Sequence, residues 1–555
     1  MWCDYAEVKK KFYPGVEKAT TIKDVMELTS SLKDEVYLIE ASNGKSFSYE
    51  ESNRAANRVA NSLFNLGLKK GDCVGFFMNN SSRCVFTILG IFKAGMIAVP
   101  VNPNFREKEV EHLVKVAEIS TIIVDPSDKY FSILKNVAAA NGILKNIVIY
   151  GSTMLDQKVQ SDVFAMDDLL GAAGDHNPEV SLEGEDPCAI FFTSGTTGMP
   201  KGAPMTNKIF LLAAQSVLAI PWTNHKSRNY TALPLFHANA QLYSMMGMRC
   251  IGTSWVLSER FSPGKFFDEI TKYKATYFNS IGGIMQILDA AFENIPVPEH
   301  TAEYVFVGGT PKELWKRFEK KFNVTVFEGY SMSEAPVLFL NANPDEAMRK
   351  VGSFGIPTFP DLGRRTKIRL ENGKDAPEGL DCVGEIMQIG FNMKGYWREE
   401  KKTEEVFEDG WLHSGDVARR DEDGYHYFVD RLKFMIRKSG ENIAAFEIED
   451  VVNSYPPVAE SSVVPVPDPI REEEIKVFVK PVEGEKIDEA DLIKFCSQKL
   501  SHIKVPRYIE IVKSFPKTAT ERIQKVELKE LEKNRTEHGW DRDKEIPEWR
   551  KLYYK

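Results

Sequence analysis

Cysteine is scarce and scattered in this chain of 555 residues: Cys3, Cys73, Cys84, Cys188, Cys250, Cys382 and Cys496. None forms a C-x-x-C pair, which argues against a disulfide framework or a thiolate metal centre and for a reducing compartment. Long apolar runs are also lacking. No stretch reaches the roughly 18 apolar residues that a membrane span needs, so no membrane span is expected. The opening MWCDYAEVKKKFYPG has no apolar core of the kind a secretory signal carries. The closing Tyr553-Tyr554-Lys555 matches no peroxisomal or reticular address. A cytoplasmic location is therefore expected. Positive charge is not in excess. The net charge of -9 speaks against broad nucleic-acid binding and leaves room for a local basic channel. No repeat of fixed period is visible.

What is present is globular in character, with 43% hydrophobic and 27% charged residues. The length exceeds what one core supports and predicts two or more domains. From about residue 46 to 125 helix and strand signals alternate. Helical patterns cover Tyr49 to Asn65, Arg83 to Lys93 and Arg106 to Ala117. Short apolar runs at Val74–Met78, Ile97–Val101 and Ser120–Val124 read as buried strands. The pattern returns near Ile190–Phe192, Ala275–Phe278 and Tyr304–Val307. Such alternation predicts an α/β fold with mostly parallel sheets flanked by helices. After about 360 a small β-rich section is expected, with strands at Lys367–Leu370, Gly384–Ile389 and Tyr425–Val429. Past Arg431 the pattern reads as a compact α+β unit: helix Phe446–Ser454, strands Ser461–Val466 and Ile475–Val479, helix Glu489–Leu500. The charged tail 533–555 carries Trp540, Trp549, Tyr553 and Tyr554, which predicts that it packs somewhere.

The segment Thr193-Ser194-Gly195-Thr196-Thr197-Gly198-Met199-Pro200-Lys201-Gly202 gathers four hydroxyls, three glycines and one lysine in ten residues. Glycines let backbone N–H groups approach phosphate oxygens, hydroxyls donate further bonds, and a lysine adds a point charge. The order is not that of a Walker loop. Further on, Glu328-Gly329-Tyr330-Ser331-Met332-Ser333-Glu334 follows an apolar strand, a place where open α/β sheets hold ligands. Tyr330 is suited to stack on a purine, and Glu334 offers a hard oxygen to Mg²⁺. Alone, such a strand-to-loop glycine is commonplace. Gly410-Trp411-Leu412-His413-Ser414-Gly415-Asp416 places a lone carboxylate, Asp416, where it can accept ribose hydroxyls, with His413 read as structural.

Together these segments resemble the AMP-forming acyl-CoA synthetase, adenylation-domain and luciferase superfamily. The resemblance runs in order from about 47 to 528 and carries expectations for single residues. Thr193, Ser194, Gly195, Thr196, Thr197, Gly198 and Lys201 correspond to the phosphate loop. Glu328, Gly329, Tyr330 and Ser333 match the YG-x-TE segment, with Ser331 in place of Gly and Ser333 in place of Thr. Gly308-Gly309-Thr310-Pro311 resembles the GG-A-P turn, which on its own reads equally as a simple tight turn. The resemblance puts Gly309, Thr310, Asp416 and Arg431 at the nucleotide, and Thr193 and Glu334 at Mg²⁺. It puts His237, Asn239, Asn279, Gly282, Gly308, Met332 and Pro336 at the acyl pocket. Lys433 is implied as the hinge, and Lys438, Ser439, Gly440 and Glu441 as the CoA side. The implied domains are 1–431, a mobile α+β unit 432–532 hinged at Lys433, and the tail 533–555. Leu257 to Pro263 is similar to the crotonobetaine/carnitine–CoA ligase group.

One departure stands out. The family's P-K-T-x-x-G-K-I-x-R reads here Pro516-Lys517-Thr518-Ala519-Thr520-Glu521-Arg522-Ile523-Gln524-Lys525. Glu521 replaces glycine, Arg522 the usual adenylation lysine, and Lys525 the usual arginine. Arg522 keeps the charge with a different geometry. Arg522, Lys525 or neither can serve as the cation. The implied activity is an ATP- and Mg²⁺-dependent ligation of a small carboxylic acid to coenzyme A through an acyl adenylate. The catalytic candidates are Lys201, His237, Glu334, Arg522 and Lys525. The alternatives are loading of a carrier protein, or a regulator that binds adenylate or acyl-CoA and turns over weakly. A monomer or homodimer is expected. Asn239 and Asn279 suggest a polar acid of modest size.

Overall fold

A computed structural model describes residues 1–151, 160–193, 199–438, 441–517, 523–533, 535 and 537–553, the side chains of residues 441 and 442 excepted. The chain divides into two compact units. One holds Met1–Thr366, Met387–His413 and Gly424–His426; the other holds Lys367–Ile386, Ser414–Asp423 and Tyr427–Lys555. This division differs from the boundary expected at 431/432. The reason is visible inside the second unit. Arg420 donates to the Pro377 carbonyl, Gly415 N–H to Glu385 Oε1 at 2.9 Å, and Phe446 N–H to Asp430 Oδ2 at 3.0 Å. The first two bonds join pieces of the β-rich section to one another, and the third joins that section to the C-terminal part.

The first unit is built on two sheets. The runs read as buried strands form one of them, a seven-stranded sheet. Its order is Asp162–Ala165, Asn146–Ile149, Thr121–Val124, Cys73–Phe77, Ile97–Pro100, Pro187–Thr193, Lys201–Thr206. All pairs are parallel except the last. The second, nine-stranded sheet is parallel through Tyr277–Ile281, Tyr304–Gly308 and Thr325–Met332, and turns antiparallel at Ala335–Asn341. Helices cover these sheets. Tyr49–Asn65 starts on a capping box, Ser48 accepting from Glu51 N–H and Glu51 reaching back. Ser82–Lys93 is buried nearly all round, as its apolar sequence requires.

The β-rich section forms a five-stranded sheet that includes Arg365–Arg369, Cys382–Ile389 and Trp411–Arg420. In the second unit the long strands Val458–Asp468 and Glu472–Pro481 pair as an antiparallel hairpin, and Tyr508–Ile511 lies parallel to the latter. The tail does pack. Trp540–Asp541 adds an antiparallel strand to Tyr508–Ile511, and Trp549 is buried in the same apolar core as Ile448, Val477 and Leu492. Among the described residues no helix is long and apolar enough to cross a membrane.

Candidate active site

The hairpin Pro187–Thr193/Lys201–Thr206 pairs Thr193 with Lys201. The two ends of the glycine-rich segment therefore sit side by side; Ser194, Gly195, Thr196, Thr197 and Gly198 lie outside the described residues. Thr193 Oγ1 donates to Glu334 Oε1 at 3.2 Å, and the Tyr396 hydroxyl donates to the same oxygen at 3.0 Å. Lys201 Nζ stands 4.8 Å from the centre of the Tyr396 ring. Two backbone bonds hold this arrangement: Trp397 N–H to Gly202 O and Met393 N–H to Glu334 O, both at 2.8 Å. Thr193 and Lys201 thus form one cluster with Glu334, which is distant from them in sequence.

Tyr396 completes the cluster, a place the sequence hardly signals. Its one signal there is the aromatic pair Tyr396-Trp397 after Gly395. Glu334 is 7% exposed. Among the described residues it accepts from two neutral hydroxyls and makes no ion pair. A buried carboxylate held only by neutral donors is costly unless a cation joins it. No group of three or more His, Cys, Asp or Glu suited to a metal occurs among the described residues. One carboxylate and a hydroxyl fit Mg²⁺, which keeps waters and takes further ligands from substrate phosphates.

On the strand that precedes Glu334, Glu328 closes the Gly308–Pro311 turn. Its carboxylate accepts from Gly309 N–H at 2.7 Å, from Thr310 N–H at 3.1 Å and from the Thr310 hydroxyl. Burial pushes its pKa up to about 7 against the pull of these three donors. The turn needs its glycines. Gly309 has φ +79°, and a Cβ on Gly282 would stand 2.0 Å from the Gly309 carbonyl oxygen. Tyr330 packs on Phe354 at 4.6 Å between ring centres, with Phe339 edge-on. Ser331, in place of the expected glycine, lies 3.0 Å from the Tyr243 hydroxyl, which donates to Pro336 O at 2.8 Å.

The expected acyl-pocket residues separate into two layers. His237, Asn239, Gly308 and Met332 are half-buried; Asn279, Gly282 and Pro336 are buried. Asn279 spends its amide on neighbours. It accepts from Asn229 at 3.0 Å and donates to Asn239 Oδ1 at 3.1 Å and Ser244 Oγ at 3.0 Å. It therefore orients Asn239 from behind. Tyr243 and Ser244 come from the π-helical turn Ala240–Met246, a feature the sequence pattern does not signal. The preceding segment with His237 is pinned by Asn80, which donates to Leu233 O and accepts from Leu235 N–H.

In the second unit Asp416 is almost wholly buried, and Arg431 Nε lies 2.5 Å from its Oδ1. The strands Trp411–Arg420 and His426–Arg431 bring the two together. Lys433 occupies the single turn Leu432–Phe434 after the second strand, its ammonium 4.5 Å from the Phe434 ring centre. Lys525 is paired with Glu449 at 2.8 Å, and Glu449 also accepts from Val463 N–H. Burial raises the pKa of Glu449 against that pairing. Lys438 is buried and paired with Glu474 at 2.8 Å. Glu521, Arg522, Ser439 and Gly440, and the side chain of Glu441, lie outside the described residues.

Sequence comparison finds the AMP-binding enzyme model over residues 29–397 and the AMP-binding enzyme C-terminal domain over 447–522. The crotonobetaine/carnitine–CoA ligase of Proteus mirabilis (strain HI4320) is 30% identical over 511 residues, 89% of this chain and 96% of that protein. The enzyme of the same name from Salmonella typhimurium is 29% identical over 498 residues, 87% and 93% of the two chains. Among solved structures, ATP-bound MatB from Rhodopseudomonas palustris has a TM-score of 0.81 at 25% identity, covering 92% of this chain and 99% of that one. The anthranilate CoA ligase AuaEII with anthranoyl-AMP shares the fold, with a TM-score of 0.82 at 24% identity and coverage of 94% and 98%.

Proposed function

The chain belongs to the AMP-binding enzyme family, and on that premise we propose that it is an ATP-dependent carboxylic acid–CoA ligase. The acid's carboxylate oxygen attacks the α-phosphorus of ATP and pyrophosphate leaves, giving an acyl adenylate. The CoA thiol then attacks the acyl carbonyl, a proton is released, and AMP departs. The observation that carries this reading is the meeting of Thr193, Lys201, Glu334 and Tyr396 from three separate segments.

Charge placement explains the division of labour. The Lys201 ammonium and the Thr193 hydroxyl hold phosphate oxygens beside the glycine-rich segment. Glu334 and Thr193 would hold Mg²⁺, which supplies positive charge to the leaving pyrophosphate. Tyr396 fixes the Glu334 carboxylate and carries the Lys201 cation over its ring face. Glu328 shapes the Gly309–Thr310 turn against the adenine. Asp416 accepts the ribose hydroxyls, with Arg431 beside it. Little covalent work falls to the protein, so positioning and electrostatics supply most of the rate.

Two finer points follow. Lys525 is engaged by Glu449, which supports Arg522 as the cation of the adenylation step. The neutral polar set Asn239, Asn279, Ser244, Tyr243 and Ser331 supports a polar acid of modest size over a long hydrocarbon chain. A panel of short, branched, aromatic and betaine-like acids with ATP·Mg²⁺, with and without CoA, tests the reading. Release of pyrophosphate and AMP in equal amounts, requiring one class of acid and CoA, is expected. ATP binding with no release for any acid would favour the regulator.

A further inference from the structure

Lys438, on the expected CoA side, does not offer its ammonium to solvent. It is 3% exposed, and Nζ lies 2.8 Å from Glu474 Oε2. Glu474 is fully buried, and its other oxygen is held by Arg471. Arg471 reaches Asp543 Oδ2 at 3.5 Å. Asp543 stands beyond residue 522, where the match to the family's C-terminal domain ends.

Asp543 is held firmly. Its Oδ1 accepts from Arg542 Nη2 at 2.7 Å and Trp549 Nε1 at 3.2 Å, and its N–H donates to Asp541 Oδ1 at 3.0 Å. Arg542 lies 3.9 Å over the buried Trp549 ring and donates to Val505 O at 2.7 Å. Arg507 joins Asp541 and Asp468, each at 3.1 Å. Alternating charges therefore run from the residue before Ser439 to the C-terminal tail. Lys438 pairs in register with Glu441 across its hairpin and with Glu472 on the neighbouring strand. Fixing its ammonium fixes where that strand ends. Lys438 and Glu474 are buried charges that hold position only while each keeps its partner, and the partly exposed Arg471 and Asp543 extend the chain outward.

We propose that the C-terminal tail is a positioning device for Lys438 at the end of the strand Ile436–Lys438, with Asp543 acting through Arg471 and Glu474. The inference rests on the ligase reading, in which the segment that follows Lys438 serves thioester formation. Asp543, Arg471 and Glu474 are positioning residues that act through Lys438.

The test separates the half-reactions in the full-length chain. Asp543→Asn and Arg471→Met are assayed for acid-dependent ATP–pyrophosphate exchange, and for the single-turnover rate of thioester formation when CoA is added to preformed acyl adenylate. Exchange is expected to stay within about twofold while the thioester step slows about tenfold, a coupling typical of residues in one ion-pair network. Asp543→Glu is expected to recover most of the loss. An unchanged thioester step, or parallel loss in both steps with a lowered melting temperature, would overturn the proposal. Backbone amide exchange over 436–443 gives a readout independent of activity. Faster exchange in Asp543→Asn supports the proposal and unchanged exchange contradicts it. A wild-type chain inactive in both half-reactions would count against the ligase reading, and amide exchange would still decide the positioning role.

Discussion

Glu334 carries more of the site than any other side chain in the first unit. It is a buried carboxylate whose partners among the described residues are two neutral hydroxyls. Glu334→Gln is predicted to lower acid-dependent pyrophosphate exchange about 10²-fold, with the loss in kcat, as for other preorganised charges at a transition state. Tyr396→Phe removes one hydrogen bond to a charged group and should cost about tenfold in the same assay. Glu328 adds a pH signature. Its folded pKa, about 7, is above the ordinary carboxylate value of 4.5. Its favourable contribution is thus complete below about pH 4.5 and is lost as pH rises toward 7. The stability of the wild type relative to Glu328→Gln should fall through that window, by at most about 1.4 kcal/mol per pH unit, and level off above it. Thermal unfolding of both proteins across pH 4–8 checks this; a constant difference would contradict the pKa. At this scale the sequence was legible where residue type and chemistry coincide, as at Thr193, Lys201 and Glu334. It was silent on Tyr396 and Tyr243, whose roles depend on which distant segment they face.

Elements were more legible than their ends. The apolar runs at Cys73–Phe77, Ile97–Pro100 and Tyr304–Gly308 fall within a residue or two of their expected places, because a strand buried on both faces must be apolar throughout. The π-helical turn Ala240–Met246 was not legible, since it has no period that pattern reading detects, and the aromatics of the tail showed that it packs but not where. Two substitutions test how elements hold the site. Gly282→Ala puts a methyl group against the Gly309 carbonyl, so the turn must move. A destabilisation of about 1–3 kcal/mol and weaker AMP binding by calorimetry are expected. Trp549→Ala removes a buried indole that Arg542 covers, at a cost of about 3–5 kcal/mol seen as a lower melting temperature.

At the scale of the molecule, two units carry two sets of residues: Thr193, Lys201, Glu328 and Glu334 in the first, and Asp416, Arg431, Lys438 and Lys525 in the second. Variants in the second set should sort by whether the residue holds the fold or meets the nucleotide. Lys525→Ala leaves the buried Glu449 carboxylate unpaired, so its chief effect should be lost stability, about 3 kcal/mol by denaturant unfolding. Arg522→Ala should instead lower pyrophosphate exchange in a protein of unchanged melting temperature. The central claim is that the acid attacks the α-phosphorus of ATP. With an accepted acid labelled with ¹⁸O in both carboxylate oxygens, mass spectrometry of the products after CoA thioester formation decides it. One ¹⁸O in AMP for each thioester formed is the predicted result; ¹⁸O in inorganic phosphate or pyrophosphate, with none in AMP, would contradict it.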